Sequence, residues 1–266
     1  MTEPAIANEP VLLRSDRDGI ATLTLNRPKA RNALSSGLIA ALQRELDSIA
    51  QDPATRAVVI AANGPAFSAG HDLAEVSGMH EDARAFRTLA QACSNMMMTV
   101  TNLPRPVIAK VQGVATAAGC QLVASCDLAV AADTAKFATP GVNIGLFCHT
   151  PQVALSRKVA PGHALQMLLT GEPVSAEEAW RMGLVNKVVP AAELDQAVEQ
   201  LARQVAGKSL YTQGIGKKSF HDQLGRPLDE AYAAATEHMV ENMAAEDARE
   251  GIGAFLQKRA PKWRDR

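Results

Sequence analysis

Residues 106–132 read PVIAKVQGVATAAGCQLVASCDLAVAA, and this stretch decides the fold class. Pro106–Val111 is a short apolar run closed by Gln112-Gly113, the pattern of a strand buried on both faces. Ala117–Ser125 is built of small and apolar residues and predicts a helix, and Leu128–Ala132 predicts a further strand. Strand, helix and strand in succession form the unit of an α/β core.

Outward from that stretch the pattern repeats. Upstream, Val11–Arg17 and Ile20–Leu25 are β-favourable runs joined by Asp18-Gly19, a hairpin signal. Ser36–Ala50 sets Leu38, Ile39, Leu42, Leu46 and Ile49 at helical spacing. Ala57–Ala62 (AVVIAA) lies between turn-forming clusters and predicts a buried strand, and Asp82–Leu103 predicts a helix stopped by Pro104. Downstream of Pro140 the reading turns helical, over Gln152–Val159, His163–Leu169 and Ala176–Met182. Val185–Val189 is a last strand, Glu193–Ala206 is amphipathic, and Pro227–Lys258 holds two further helical stretches. The division expected is an α/β core over residues 1–200 and a helical appendage over 201–266 that supplies an oligomerisation surface.

The 266 residues carry 27 Lys and Arg against 28 Asp and Glu, a net charge of −1, with 47% hydrophobic residues. Nucleic-acid binding is disfavoured by the absence of a basic excess, and disorder by the apolar fraction. No apolar run approaches the roughly 20 residues that span a bilayer. Cys93, Cys120, Cys126 and Cys148 form no CxxC pair and have no His at zinc-ligand spacing, so buried free thiols and no metal are expected. Met1–Pro10 shows neither a basic region followed by an apolar stretch nor an Arg-rich leader, which predicts a cytoplasmic protein.

Two turns carry the chemistry. Phe67–Leu73 (FSAGHDL) follows one buried strand, and Val111–Cys120 (VQGVATAAGC) follows another and opens a helix. Small residues at such junctions let a ligand approach the main chain, and a helix start offers unpaired N–H groups at a positive dipole end. Two such turns facing each other would be able to hold a developing negative oxygen, as an oxyanion hole does. The same small residues also serve tight helix–strand packing, and the motifs by themselves leave both readings open.

These segments resemble the crotonase (enoyl-CoA hydratase/isomerase) superfamily. The likeness rests on Leu25-Asn26-Arg27-Pro28 with Asn32-Ala33-Leu34, on FSAGHDL and on the 106–132 stretch. GEPVSAEEAWRMGLVNKVVP and the ending EGIGAFLQKRAPKW extend it, so that it runs in consistent order from about Val11 to Trp263. Cys120-Gln121-Leu122 and FATPGVNIGLFC point to the subgroup of the enoyl-CoA hydratase domain-containing protein 3 type. The resemblance implies a spiral of ββα units with a C-terminal helical trimerisation region, a homotrimer or homohexamer, and an acyl-CoA thioester as partner. Coenzyme A then enters as part of the substrate, with no separate cofactor. Nucleic acid and membrane are not expected as partners.

Carried over by position, the thioester oxygen would receive the backbone N–H groups of His71 and Ala118. Lys29, Ala30 and Ala69 match positions that line the nucleotide, and Phe255 and Lys258 match positions that reach a neighbour's CoA. The sequence departs from the family at the two glutamates of its hydratases, where it has Gln121 and Gly141. An amide has no accessible pKa for proton transfer, and glycine has no side chain. General acid–base groups contribute roughly 10²–10⁴-fold each, so efficient hydration is not expected.

His149 is a candidate replacement acid or base, or simply a polar residue beside Pro151 at a helix start. Cys148 has no sequence feature that lowers its pKa. Asp72 reads as a capping residue, Asp127 as structural, and Met96-Met97-Met98 as helix core or acyl-pocket lining. Three functions follow: an enzyme working on acyl- or enoyl-CoA by enolate stabilisation, a non-catalytic acyl-CoA-binding scaffold, or a hydratase or isomerase with a reassigned acid/base group.

Overall fold

A computed structural model describes residues 9–266. Residues 1–8, most of the stretch behind the compartment expectation, lie outside it.

The chain opens on the expected hairpin. β1 (Leu12–Arg17) and β2 (Ile20–Leu25) pair antiparallel with Arg17 opposite Ile20. Asp18 and Gly19 both take positive φ, 53° and 77°, as the two-residue turn favoured by Asp-Gly requires. α1 (Ser36–Gln51) is capped by the Ser35 side chain, which accepts the Leu38 N–H. Its predicted apolar stripe is its buried face.

Three repeats follow, each with one strand in a large sheet, one in a small sheet, and then helix. The first is β3 (Ala57–Ala62), β4 (Ala66–Ser68), α2 (Leu73–Ser77) and α3 (Ala83–Asn102). The second is β5 (Val107–Val111), β6 (Val114–Thr116) and α4 (Ala118–Ser125). The third is β7 (Leu128–Ala132), β8 (Lys136–Ala138), α5 (His149–Lys158) and α6 (Pro161–Thr170). β9 (Val174–Ser175), α7 (Ala176–Met182), β10 (Lys187–Val189) and α8 (Leu194–Ala206) complete both sheets. The large sheet runs β1-β2-β3-β5-β7-β10 and is parallel from β2 onward; the small one runs β4-β6-β8-β9 with only β9 antiparallel.

Register explains the apolar runs. Leu23, Ile60, Ala109 and Ala129 lie opposite one another across four strands and face the main core. The alternate residues Val59, Ile108 and Val130 face the other way, where Leu194, Val198 and Ala202 of α8 cover them. A strand covered on both faces has no polar side, which is why β3 is apolar throughout.

Sequence reasoning found the large sheet and missed the small one, whose strands are two or three residues long and show no period. It also missed α9 (Leu210–Gln223), whose apolar residues Leu210, Ile215 and Phe220 form no single stripe. α5 begins at His149, three residues before the predicted start, because Pro151 sits in the first turn, where its missing N–H costs nothing. α10 (Leu228–Ala244) and α11 (Glu246–Leu256) are the two expected C-terminal helices.

The residues after α11, ending in Trp263–Arg266, form a tail strap tied at several points. Trp263 Nε1 donates to the Gly207 carbonyl at 2.9 Å, and the Asp265 carboxylate accepts from Arg56 at 2.6 Å and from Leu210 N–H at 2.7 Å. Asp247 accepts the backbone N–H groups of Arg264 and Asp265. No described helix is long and apolar enough to cross a membrane.

Candidate active site

The FSAGHDL turn is built around a buried asparagine. Asn32, fully buried at φ 52°, accepts the Arg27 N–H on Oδ1 and donates Nδ2 to the carbonyls of Asn63 and Ala66. Ser68 Oγ donates to the Asn32 carbonyl and accepts the Gly70 N–H. Arg27 then clamps the far end of the turn, its guanidinium meeting the Asp72 carboxylate at 2.8 Å. That contact holds the Asp72 carboxyl below its usual range. Asp72 also caps α2 by accepting the Ala74 N–H, the capping role expected of it.

This scaffold aims one donor. Leu34 N–H donates to the Gly70 carbonyl at 2.7 Å, and Asp72 N–H donates to the Leu34 carbonyl at 3.3 Å. In a parallel bridge of this kind the intervening residue, His71, points its own N–H away from Leu34. Burial pushes the His71 imidazole pKa down, which favours the neutral ring, and its buried Nδ1 has no partner among the described residues.

The second donor sits at the start of α4. Ala118 is its first residue, so its N–H has no partner within the helix. Ala117 precedes it at φ 49°, ψ −119°, with its own N–H on the Ala138 carbonyl at 2.9 Å. An L-residue held there costs on the order of 1–3 kcal/mol, and the packing around it explains why it persists. A methyl added at Gly70, itself at φ 90°, would lie 2.8 Å from Ala117 Cβ and 3.3 Å from Ala118 N. One at Gly119 would strike the Ser68 carbonyl at 2.3 Å. The two turns therefore abut, and the small residues allow that close packing.

Where the family's hydratases have glutamates, the two positions differ. Gln121 is 5% exposed, one turn into α4, and its buried Oε1 has no partner among the described residues. Thr139, 1% exposed and also with an unpartnered hydroxyl, follows the residue that receives the Ala117 N–H. Sequence reasoning passed over Thr139, Asn32 and Ser68 as individual site residues; nothing in a polar residue between short apolar segments marks it as buried. Gly141 lies in a tight turn over Pro140–Ile144. A Cβ there would meet the Leu146 carbonyl at 2.1 Å and Cys148 Sγ at 2.9 Å.

His149 stands exposed at the first turn of α5, its ring 5.1 Å from that of Phe147. Burial raises the Cys148 pKa, and pushes Cys93, Cys120 and Cys126 up to about 12, so all four are free, buried thiols. Met96 and Met97 are core residues, whereas Met98 is exposed. Asp127 is structural, accepting the Val107 N–H and pairing with Lys217, both at 2.7 Å.

Of the positions matched to the nucleotide, Lys29 and Ala30 lie in an exposed turn, and Ala69 is joined to it by its N–H on the Arg31 carbonyl at 3.0 Å. Phe255, 83% exposed, stands near the end of α11, which packs on α9 and α10. Lys258 follows at φ 53° and is also exposed.

Comparison with known proteins bears on these observations. The model of the enoyl-CoA hydratase/isomerase family matches residues 15–266. The human enoyl-CoA hydratase domain-containing protein 3, mitochondrial, is 50% identical over 92% of this chain and 81% of its own length. The crotonyl-CoA hydratase of Syntrophomonas wolfei is 34% identical over 96% of this chain and 97% of its own. A crystal structure of an enoyl-CoA hydratase from Mycobacterium smegmatis superposes with a TM-score of 0.92 at 49% identity, covering 96% and 99% of the two chains. These neighbours share the crotonase fold.

They also correct the compartment. The similar human and rat proteins are named as mitochondrial, so the cytoplasmic expectation does not stand; the composition of Met1–Pro10 was too little to assign a compartment. With its ββα spiral, its two abutting turns and its match across nearly the whole length, the chain belongs to the enoyl-CoA hydratase/isomerase family.

Proposed function

We propose that the chain binds an acyl- or enoyl-CoA thioester and stabilises the enolate formed beside it, without the paired-carboxylate hydration of the family's hydratases. The single observation that carries this reading is that the turn bearing His71 abuts the start of α4 at Ala118, so that their two backbone N–H groups would serve as the donors. Fixed donors of this kind act on developing negative charge and cost no reorganisation when it appears. Lys29, Ala30 and Ala69 would receive the nucleotide, and coenzyme A would come only with the substrate. Gln121 would orient a water or a substrate oxygen through its amide; His149, exposed at the start of α5, would act only in the separate reading of a hydratase or isomerase with a reassigned acid or base.

A non-catalytic scaffold is the second reading, favoured by Gly141, whose surroundings exclude any side chain. Phe255 and Lys258 would reach the thioester of a neighbouring subunit in a homotrimer or homohexamer. Leu228, Tyr232 and Met239 on α10 are each at least 70% exposed, which supports residues 201–266 as the oligomerisation region of a core ending near residue 200.

Calorimetry of the full chain with crotonyl-CoA and decanoyl-CoA, paired with a hydration assay, tests the proposal. The expected result is thioester binding with crotonyl-CoA hydration roughly 10²–10⁴-fold slower than that of a paired-glutamate hydratase. Absence of thioester binding overturns both readings, and hydration at an ordinary family rate overturns the claim that this chemistry is gone.

A further inference from the structure

The two ends of α4 serve different surroundings. Ala118 stands at its start, and Ser125, about 10 Å away at 1.5 Å per residue, stands where a separate cleft begins. The cleft has a volume of about 740 Å³ and lies between the C-terminal end of α4, α5 and α9. Its polar wall holds Asp127, Lys158, Lys217 and His221, with Arg157 beside them, and Phe220 and Leu224 form an apolar wall.

The charges in this wall do not balance. Asp127 Oδ2 is occupied by the Val107 N–H and by Lys217 Nζ, both at 2.7 Å. Lys217 spends its other donors on the carbonyls of Val100 and Arg105, at 3.2 and 3.1 Å. Those two side chains neutralise each other. Lys158 Nζ donates to the Asp127 carbonyl at 2.9 Å, a neutral dipole, and among the described residues no carboxylate forms an ion pair with it. Burial pushes the pKa of Lys158, Lys217 and His221 down. The Asp127 carboxylate attracts Lys158 without touching it and is already paired with Lys217, so an anion that enters the cleft would supply the direct partner that Lys158 lacks.

The excess is the one partly buried positive charge of Lys158, which calls for a monoanion. Phe220 and Leu224 are 59% and 48% exposed, and add apolar surface beside it that the core does not use. We infer that this cleft is a second ligand site, separate from the thioester turns, that binds a monocarboxylate with its charge on Lys158 and its alkyl chain along Phe220 and Leu224. Arg157 flanks the carboxylate from the solvent side. The inference does not depend on thioester binding.

Calorimetric titration of the full chain with octanoate tests it, with octan-1-ol and inorganic phosphate as comparison ligands. Octanoate is expected to bind saturably and at least tenfold more tightly than either. Lys158→Met is expected to weaken octanoate at least tenfold. Leu224→Asp, which puts a competing carboxylate at the half-exposed mouth, is expected to do the same, and carries the test should the buried variant fail to fold. Octanoate that fails to bind overturns the inference, as does unchanged affinity in a folded Lys158→Met or Leu224→Asp variant. Octan-1-ol binding as tightly as octanoate removes the role of charge, and tighter phosphate binding removes the monocarboxylate.

Discussion

Two loops approach the start of α4, and they differ in what they leave open. The Ala66–Asp72 turn is stretched into place by Asn32, Ser68 and the Arg27–Asp72 ion pair, so that a backbone N–H at His71 is left pointing outward. The Pro140–Cys148 loop folds inward on itself, with Leu146 N–H on the Gly141 carbonyl at 2.9 Å, and fills the space a side chain at 141 would need. Backbone donors need only a fixed turn, whereas proton transfer needs a side chain and room for it. The chain keeps the first requirement and has closed one of the two places that meet the second.

The largest expected effect breaks the open side of this contrast. Ala118→Pro removes the α4 donor at the first helical position; because Ala117 before it stands at φ 49°, ψ −119°, outside the range that precedes proline, a denaturant melt of the variant accompanies the assay. Whatever thioester turnover the chain performs should fall about 10²–10³-fold, read from initial rates, with little change in the circular-dichroism spectrum. Unchanged rates would show that Ala118 N–H touches no developing charge. On the filled side, Gly141→Glu should destabilise the fold by about 1–3 kcal/mol in a denaturant melt, because its Cβ meets a carbonyl oxygen. Gln121→Glu, at a position already holding a side chain of that size, should fold, and it is the variant expected to gain crotonyl-CoA hydration. Should Gly141→Glu prove as stable as the parent, the loop is looser than its packing implies.

A smaller effect sharpens how the open turn is held. Asp72→Asn keeps a capping side chain for α2 but loses the charge that faces Arg27. It should cost about 1 kcal/mol near neutral pH. The Asp72 pKa is depressed in the folded chain, so the contribution is complete above the ordinary aspartate range and disappears as pH falls through the folded value. The parent and variant stability curves should therefore converge in acid; a constant offset would assign the cost to packing. The smallest effect is expected from Ala117→Gly, which relieves an L-residue at φ 49° and should stabilise the fold by about 1 kcal/mol.

The sequence made the large sheet legible because burial on both faces leaves unbroken apolar runs such as AVVIAA, and it made the two turns legible through their small residues. It also placed the glutamine and the glycine. What separates those two positions was hidden: Gln121 and Gly141 are equally devoid of acid on paper, and only the fold puts the Leu146 carbonyl where a Cβ at 141 would go. The small sheet escaped because strands such as Val114–Thr116 are too short to show alternation. The Lys158 cleft escaped because its residues come from α4, α5, α9 and the loop at Asp127, far apart along the chain.

The tail strap has a use beyond stability. Trp263 is one of two tryptophans in the chain, and its ring packs so closely on Gly251 that a Cβ there would lie 3.2 Å from it. Trp180, the other, is half exposed on α7, far along the chain from this contact. Intrinsic fluorescence thus carries a local signal from the joint between the C-terminal helices and the core, over a steady background. Release of the joint should shift emission to longer wavelength without any label, so the docking of α11 can be followed in the same cuvette as a ligand titration.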